Sequence, residues 1–242
     1  MKIHLLSDIH TEFLKDRHLL PLVRPAEVLV LAGDIAVGRT NTLTVINFFA
    51  QHYDHVLFCP GNHEYYGGLQ LHNFDLDFEI SLPINATMLN PGTTLRGDVT
   101  FIGGTLFTNF CNDPLAEQAA RTGINDFQRT NKLTTQSYKD LFEQHRQFFK
   151  LAYESRTTDK VVFFSHFLPD LSLVHPRWGS QLVNKYYASD LGNWIASLDN
   201  STWLFGHTHD SIDQTIGTTR CVSAPVGYPN ENKNYQHMIL DV

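Results

Sequence analysis

Cysteine is scarce in this chain. Cys59, Cys111 and Cys221 are odd in number, far apart and without a CxxC pair. A disulfide framework and a thiolate zinc site are therefore not indicated, and reduced, mostly buried thiols are expected. No apolar stretch approaches the roughly 20 residues of a membrane span. Met1 to Asp8 turns polar at once, too soon for the apolar region of a signal peptide, so a cytoplasmic protein is expected. Lys/Arg-rich runs are missing as well. With 25 acidic against 18 basic residues and a formal charge of −7, an extended nucleic-acid surface is not expected. A small or end-on nucleotide remains compatible. There is no internal repeat, low-complexity tract or Pro/Ser-rich linker, so residues 1–242 are expected to form one α/β domain with a substantial core.

What the chain has in number is histidine, thirteen in all. His18, His52, His55, His72 and His145 have polar neighbours and no shared motif, and surface positions are expected for such residues. The informative histidines stand where apolar runs stop. Ile3 to Leu6 ends at Ser7-Asp8-Ile9-His10. Val28 to Ala32, a continuous apolar run suited to a strand buried on both faces, ends at Gly33-Asp34. Val56 to Cys59 stops at Pro60-Gly61-Asn62-His63-Glu64, Val161 to Phe164 at Ser165-His166, and Thr202 to Phe205 at Gly206-His207-Thr208-His209.

Between these strands the pattern predicts helices over about 41–53, onward from about Glu64, over Pro114 to Arg121 and over about 134–155. The last carries Tyr138, Leu141, Phe142, His145, Phe148, Phe149 and Ala152 on one side, a wide aromatic face for core packing. Ala86 to Leu89, Thr93 to Leu95 and Thr100 to Ile102 read as an antiparallel group punctuated by turns. Ile212 to Ile216, Arg220 to Ser223 and Gln236 to Leu240 read as a closing set of strands.

The C-terminal ends of strands are where ligands bind in open α/β sheets. The donors gathered there are oxygens and imidazole nitrogens, which suit Mn, Fe or Zn, and they suffice for two divalent ions clamping an in-line displacement. Asp8 and His10 can turn toward one ion, Asp34 is the candidate bridge, and Asn62 contributes a neutral amide oxygen. His166, His207 and His209 complete the sets, although residue types alone leave swaps among these three open. His63 remains beside Asn62, placed to face a substrate and protonate a leaving alkoxide, with a metal-bound hydroxide as the nucleophile.

These runs, DxH, GD, GNHE, a lone His and GHxH in that order, resemble the calcineurin-like metallophosphoesterases over positions 8 to 209. The resemblance implies a metallo-dependent phosphatase-like, four-layered α/β/β/α sandwich of two mixed sheets flanked by helices. It implies Asp8, His10, Asp34 and His209 at a first metal, Asp34, Asn62, His166 and His207 at a second, and His63 as the catalytic acid. A non-catalytic, metal-binding scaffold of the same fold is the alternative; retention of every donor and of His63 argues against it. Protein phosphatases of the superfamily carry GDxxDRG, whose Arg binds the substrate phosphate. Here Gly33 to Arg39 has no Asp in that place and its Arg comes one position late, so that activity is not implied.

The partner expected is a small phosphoester, with a nucleotide among the candidates, and a diester is slightly favoured over a monoester because its alkoxide gains most from an acid. Arg177 could pair with phosphate oxygens and Trp178 could stack on a base. Asn112-Asp113 and the loop from Pro225 to Asn230 are weaker candidates, and Tyr65 and Tyr66 are expected in the core or at a helix start.

Overall fold

The computed structural model describes residues 1–14, 26–71, 74, 76–233 and 235–242. Eleven strands are present among them: β1 (Lys2–Leu6), β2 (Val28–Ala32), β3 (His55–Cys59), β4 (Ala86–Met88), β5 (Gly92–Arg96), β6 (Val99–Gly104), β7 (Lys160–Ser165), β8 (Ser201–Phe205), β9 (Ile212–Ile216), β10 (Thr219–Ser223) and β11 (Met238–Asp241). They form two mixed sheets, ordered β11-β1-β2-β3-β4 and β5-β6-β7-β8-β10-β9. The strands that matter for the site, β1-β2-β3 in one sheet and β7-β8 in the other, run parallel.

Alternation along each strand builds the layers. In β2, Val28, Val30 and Ala32 join the core between the sheets with Leu57, Val162 and Phe164. Leu29 and Leu31 point the other way, onto α1 (Arg39–Ala50) through Ile46 and Phe49. In β7, Val162 and Phe164 face inward while Phe163 turns outward and stacks on Trp203, 4.7 Å between ring centres. Phe149 closes over Trp203. It belongs to a long helix (Thr135–Glu154) whose first turn is capped by the Thr134 side chain. This is the α/β/β/α order, with both faces of the central strands dry, as uninterrupted apolar runs require.

Several expectations are corrected. The first helix ends at Ala50, earlier than its periodicity suggests. At Glu64 the chain forms a 3-10 turn, His63–Tyr65, and not an α-helix; the next α-helix among the described residues, α2, is Leu76–Ile80. Gly67 and Gly68, both at positive φ, break the chain there. The three middle strands are not one antiparallel group: β4 pairs parallel with β3, while β5 and β6 form a hairpin in the other sheet. The last strand likewise pairs with β1 and not with its sequence neighbours. His145 is buried, not a surface residue, and its Nδ1 accepts the Leu106 N–H. His18 and His72 lie outside the described residues.

Four more helices are present among the described residues: α3 (Pro114–Gly123), α4 (Asp126–Arg129) and, with the Thr135–Glu154 helix taken as α5, α6 (Asn184–Tyr187) and α7 (Gly192–Ile195). Cys59 and Cys221 are buried, Cys111 is half-buried, and none forms a disulfide. No helix among the described residues is long and apolar enough to cross a membrane.

Candidate dinuclear metal centre

Each donor follows the C-terminal end of a parallel strand. Asp8 and His10 follow β1, Asp34 follows β2, Asn62 and His63 follow β3, His166 follows β7, and His207 and His209 follow β8. The β1–β2 ladder continues into the loops, where the Asp8 N–H donates to Gly33 O and the His10 N–H to Asp34 O, both at 3.0 Å. Two glycines make the close approach possible. A β-carbon on Gly33 would lie 2.5 Å from His166 Nδ1, and one on Gly61 would lie 2.2 Å from Asp34 Oδ1. Asp8, His10, Asp34, His207 and His209 all have left-handed backbone, with φ between 48° and 70°, a conformation that costs a residue with a β-carbon of order 1–2 kcal/mol.

The donors fall into two sets. Asp8, His10 and His209 form one and Asp34, His166 and His207 the other, with ligand atoms in each lying within 4.8 Å of one another. In the first, His10 Nε2 and His209 Nε2 are 3.1 Å apart, and His209 Nε2 is 3.4 Å from Asp8 Oδ1. In the second, His166 Nε2 lies 2.9 Å from Asn62 Oδ1 and 3.4 Å from Asp34 Oδ1. The other oxygen of Asp34, Oδ2, faces the first set, 3.8 Å from His10 Nε2. One carboxylate therefore offers an oxygen to each side.

These residues fit a pair of divalent cations. The His207 Nε2 is buried with no hydrogen-bond partner, an orphan that a buried imidazole does not ordinarily tolerate. Surrounding groups orient the ligands as metal-bound histidines require. His166 Nδ1 donates to Ala32 O at 2.9 Å, His209 Nδ1 to Glu231 at 2.6 Å and His10 Nδ1 to Glu12 at 3.2 Å, leaving each Nε2 to the centre. Burial alone would raise the Asp8 carboxyl, but His209 and His166 outweigh it and bring it to about 2. Against burial, Asp34 and Asp8 lift His166 to about 9, and Asp8 and Glu231 lift His209 to about 9. His207 is held well below its usual range by burial and by His166. The carboxylates thus favour positive charge at His166 and His209, while His207 stays neutral.

Two residues that sequence reasoning missed hold this arrangement. Glu64 is buried, and its carboxylate accepts the N–H groups of Asp34, Ile35, Ala36 and Gly61 at 2.6–3.1 Å. It clamps the loop after β2 to the loop after β3. Burial and the Asp34 charge raise its carboxyl to about 7. Asp126, also buried, accepts Asn62 Nδ2 at 2.9 Å, which leaves the Asn62 oxygen facing His166. Its remaining valence is met by the hydroxyls of Tyr66, Tyr138 and Tyr186. The GNHE run named Glu64 without indicating its task; Asp126 carried no local signal at all.

A cavity of about 490 Å³ opens over the centre, with His63, Tyr186, Tyr187, Trp178, Ile124 and Tyr228 among the residues around it. His63 donates its N–H to Asp34 Oδ1 at 2.8 Å and directs Nδ1 to Glu12 at 3.1 Å. Its Nε2 lies 3.3 Å from the Tyr228 hydroxyl and 3.9 Å from Asp34 Oδ2. Arg177 and Trp178 also line the cavity, but both are tied to Asp210: Arg177 Nη2 at 2.8 Å from Oδ1, and Trp178 Nε1 donating to Oδ2 at 2.8 Å. The Arg39 guanidinium sits over the Phe78 ring. Tyr65 and Tyr66 are both buried, as expected, and Tyr66 also borders the cavity.

A family model described as calcineurin-like phosphoesterase matches residues 1–211. An uncharacterised protein of Acanthamoeba polyphaga mimivirus is 25% identical over 230 residues, covering 86% of this chain and 80% of that protein. Among solved structures, the phosphopantetheinyl hydrolase of Mycobacterium tuberculosis superimposes with a TM-score of 0.80 at 16% identity, over 99% of this chain and 95% of that one. A putative 5′-nucleotidase of Staphylococcus aureus reaches 0.51 at 17% identity, over 94% of this chain and 48% of its own.

Proposed function

This chain belongs to the calcineurin-like phosphoesterase family and is a hydrolase, and on that premise we propose that it cleaves phosphodiesters, with His63 as the acid that protonates the departing alcohol. The observation that carries the reading is the placement of His63. Its Nδ1 is occupied by Glu12, its Nε2 borders the cavity, and its backbone N–H is fixed to the shared carboxylate of Asp34. Asp8, His10 and His209 would hold one divalent cation, Asn62, His166 and His207 the other, with Asp34 between them. Mn, Fe and Zn all suit such nitrogen and oxygen donors. When bound, the pair would supply Lewis-acid charge and an activated water.

The side chains do the rest. Asp34 and Glu12 hold the His63 ring, and Tyr228 covers it from the cavity side with its hydroxyl toward Nε2. A diester favours this arrangement over a monoester because an alkoxide is a poor leaving group and gains about 10²–10⁴-fold from a positioned acid. The cavity exceeds what a bare phosphate needs and has room for an organic substituent, with Trp178 as a flat surface for a base or other planar group. Arg177, engaged by Asp210, serves to hold that wall and to present charge at the rim.

The test is turnover of bis(p-nitrophenyl) phosphate against p-nitrophenyl phosphate with Mn²⁺, Fe²⁺, Zn²⁺ and Mg²⁺ in turn. Metal-dependent hydrolysis with the diester ahead is expected; a clear preference for the monoester would overturn the diester assignment. A nucleotide ester and a phosphopantetheinyl ester, the group in the name of the structural neighbour, belong in the same panel.

A further inference from the structure

Glu12 is two residues beyond His10 in a 3-10 turn, Thr11–Phe13, that begins where the left-handed His10 reverses the chain. The reversal brings its carboxylate between two imidazoles from different strands. Glu12 Oε1 lies 3.2 Å from His10 Nδ1 and 3.1 Å from His63 Nδ1, and the side chain is one-fifth exposed. The two rings pack edge to face, 4.5 Å between centres.

His10, Glu12 and His63 also lie close enough to be read as a third cation site. The chemistry disfavours that reading. His10 Nε2 already points at the first donor set, and an imidazole whose two nitrogens both bind cations must lose its last proton. A carboxylate receiving two N–H groups needs no such loss.

We infer that Glu12 is a positioning residue for His63: by accepting a hydrogen bond from Nδ1–H it fixes the ring so that Nε2 alone faces the cavity and, in the imidazolium form, carries the transferable proton. The inference rests on His63 being the acid. In the step it serves, the P–O bond to the alcohol breaks and the departing oxygen takes the Nε2 proton. Water supplies the oxygen that joins phosphorus and releases its proton to solvent, from which His63 is recharged. Glu12 exchanges no proton. It determines which nitrogen does.

Two measurements test this. Nitrogen-15 NMR of the metal-free protein reads the tautomer of neutral His63 directly. The Nδ1–H form is expected in the wild type, giving way to Nε2–H in Glu12→Ala; an Nε2–H wild type would overturn the inference. The second compares diesters differing in leaving group. Measured at saturating metal, because Glu12 also supports His10, Glu12→Ala is expected to lower kcat for an alkyl leaving group by about 10²-fold, while the p-nitrophenyl diester changes little. Glu12→Gln, which keeps an acceptor oxygen, should recover most of the loss. In a His63→Ala background Glu12→Ala should have no further effect. Equal losses on both leaving groups at saturating metal would place the role of Glu12 at His10 alone and sink the proposal. Full alkyl-ester turnover in His63→Ala alone would instead remove the acid assignment, a failure visible before Glu12 is touched.

Discussion

Asp126 and Asp34 show how much of this centre depends on single carboxylates. Asp34 directs one oxygen toward each donor set, so Asp34→Asn should lose both metal and activity; metal analysis returning a full complement would refute the bridging role. His63→Ala should lose about 10²–10⁴ in turnover of alkyl esters with metal largely retained, since its side chain is turned to Glu12 and the cavity. Asp126 acts through Asn62 by fixing its amide. Asp126→Asn is expected to weaken metal binding at the second set about 10–100-fold, read as a lower-affinity phase in a metal titration beside an unchanged first phase. The candidate ligands were legible as a set because each sits directly after an apolar run. Asp126, by contrast, acts 64 positions from its partner with no motif around it. Nothing local marks such a residue, because its meaning lies in which side chains the fold brings to it.

At the scale of elements, the loops after β2 and β3 have one clamp. Glu64 gathers four backbone N–H groups that would otherwise be buried unpaired, each of which costs about 1–3 kcal/mol when orphaned. Glu64→Ala should therefore lower stability by several kcal/mol in denaturant unfolding and scatter Asp34 from Asn62. Retention of full metal affinity in that variant would show the loops to be held by something else. The strands bearing ligands were legible because strands buried on both faces are continuously apolar, as in β2 and β7. What misled was pairing. β4 reads like part of a hairpin with β5, yet Leu89 N donates to Phe58 O and continues the ladder of the first sheet, and the chain crosses between sheets just after. Sheet membership depends on long-range partners that no local periodicity contains. His145 was read two ways: its polar sequence neighbours, which lie on the outer side of α5, suggested the surface, while its helical spacing put it on the aromatic face, and that face is the one that packs on β6.

For the whole molecule, each donor set draws from both sheets: Asp8 and His10 with His209, and Asn62 with His166 and His207. Cation binding should then add to the stability of the entire sandwich. At a thousandfold excess over Kd one site contributes about 4 kcal/mol, which for a chain of this size is a rise of roughly 8–16 °C in Tm. Calorimetry with and without a chelator checks it, and Asp34→Asn should abolish most of the difference. Acid acts on the same whole. His145 is pushed down to about 3 by burial, against an ordinary 6.5 in the unfolded chain. The unfolded state therefore takes a proton first. The stabilisation, complete above pH 6.5, is lost as pH falls toward 3 and amounts to a few kcal/mol in order of magnitude. His145→Gln should flatten that slope relative to wild type; parallel slopes would exonerate His145.

The left-handed backbone at Asp8, His10, Asp34, His207 and His209 bears on how such a chain can change over generations. Each of these positions would relax if it drifted to glycine, and every such drift would remove a donor. A lineage released from metal chemistry would thus be drawn, step by step, toward glycine at these five places with no force holding it back. Glycine at any of the five should therefore relax the metal-free backbone while removing a candidate donor.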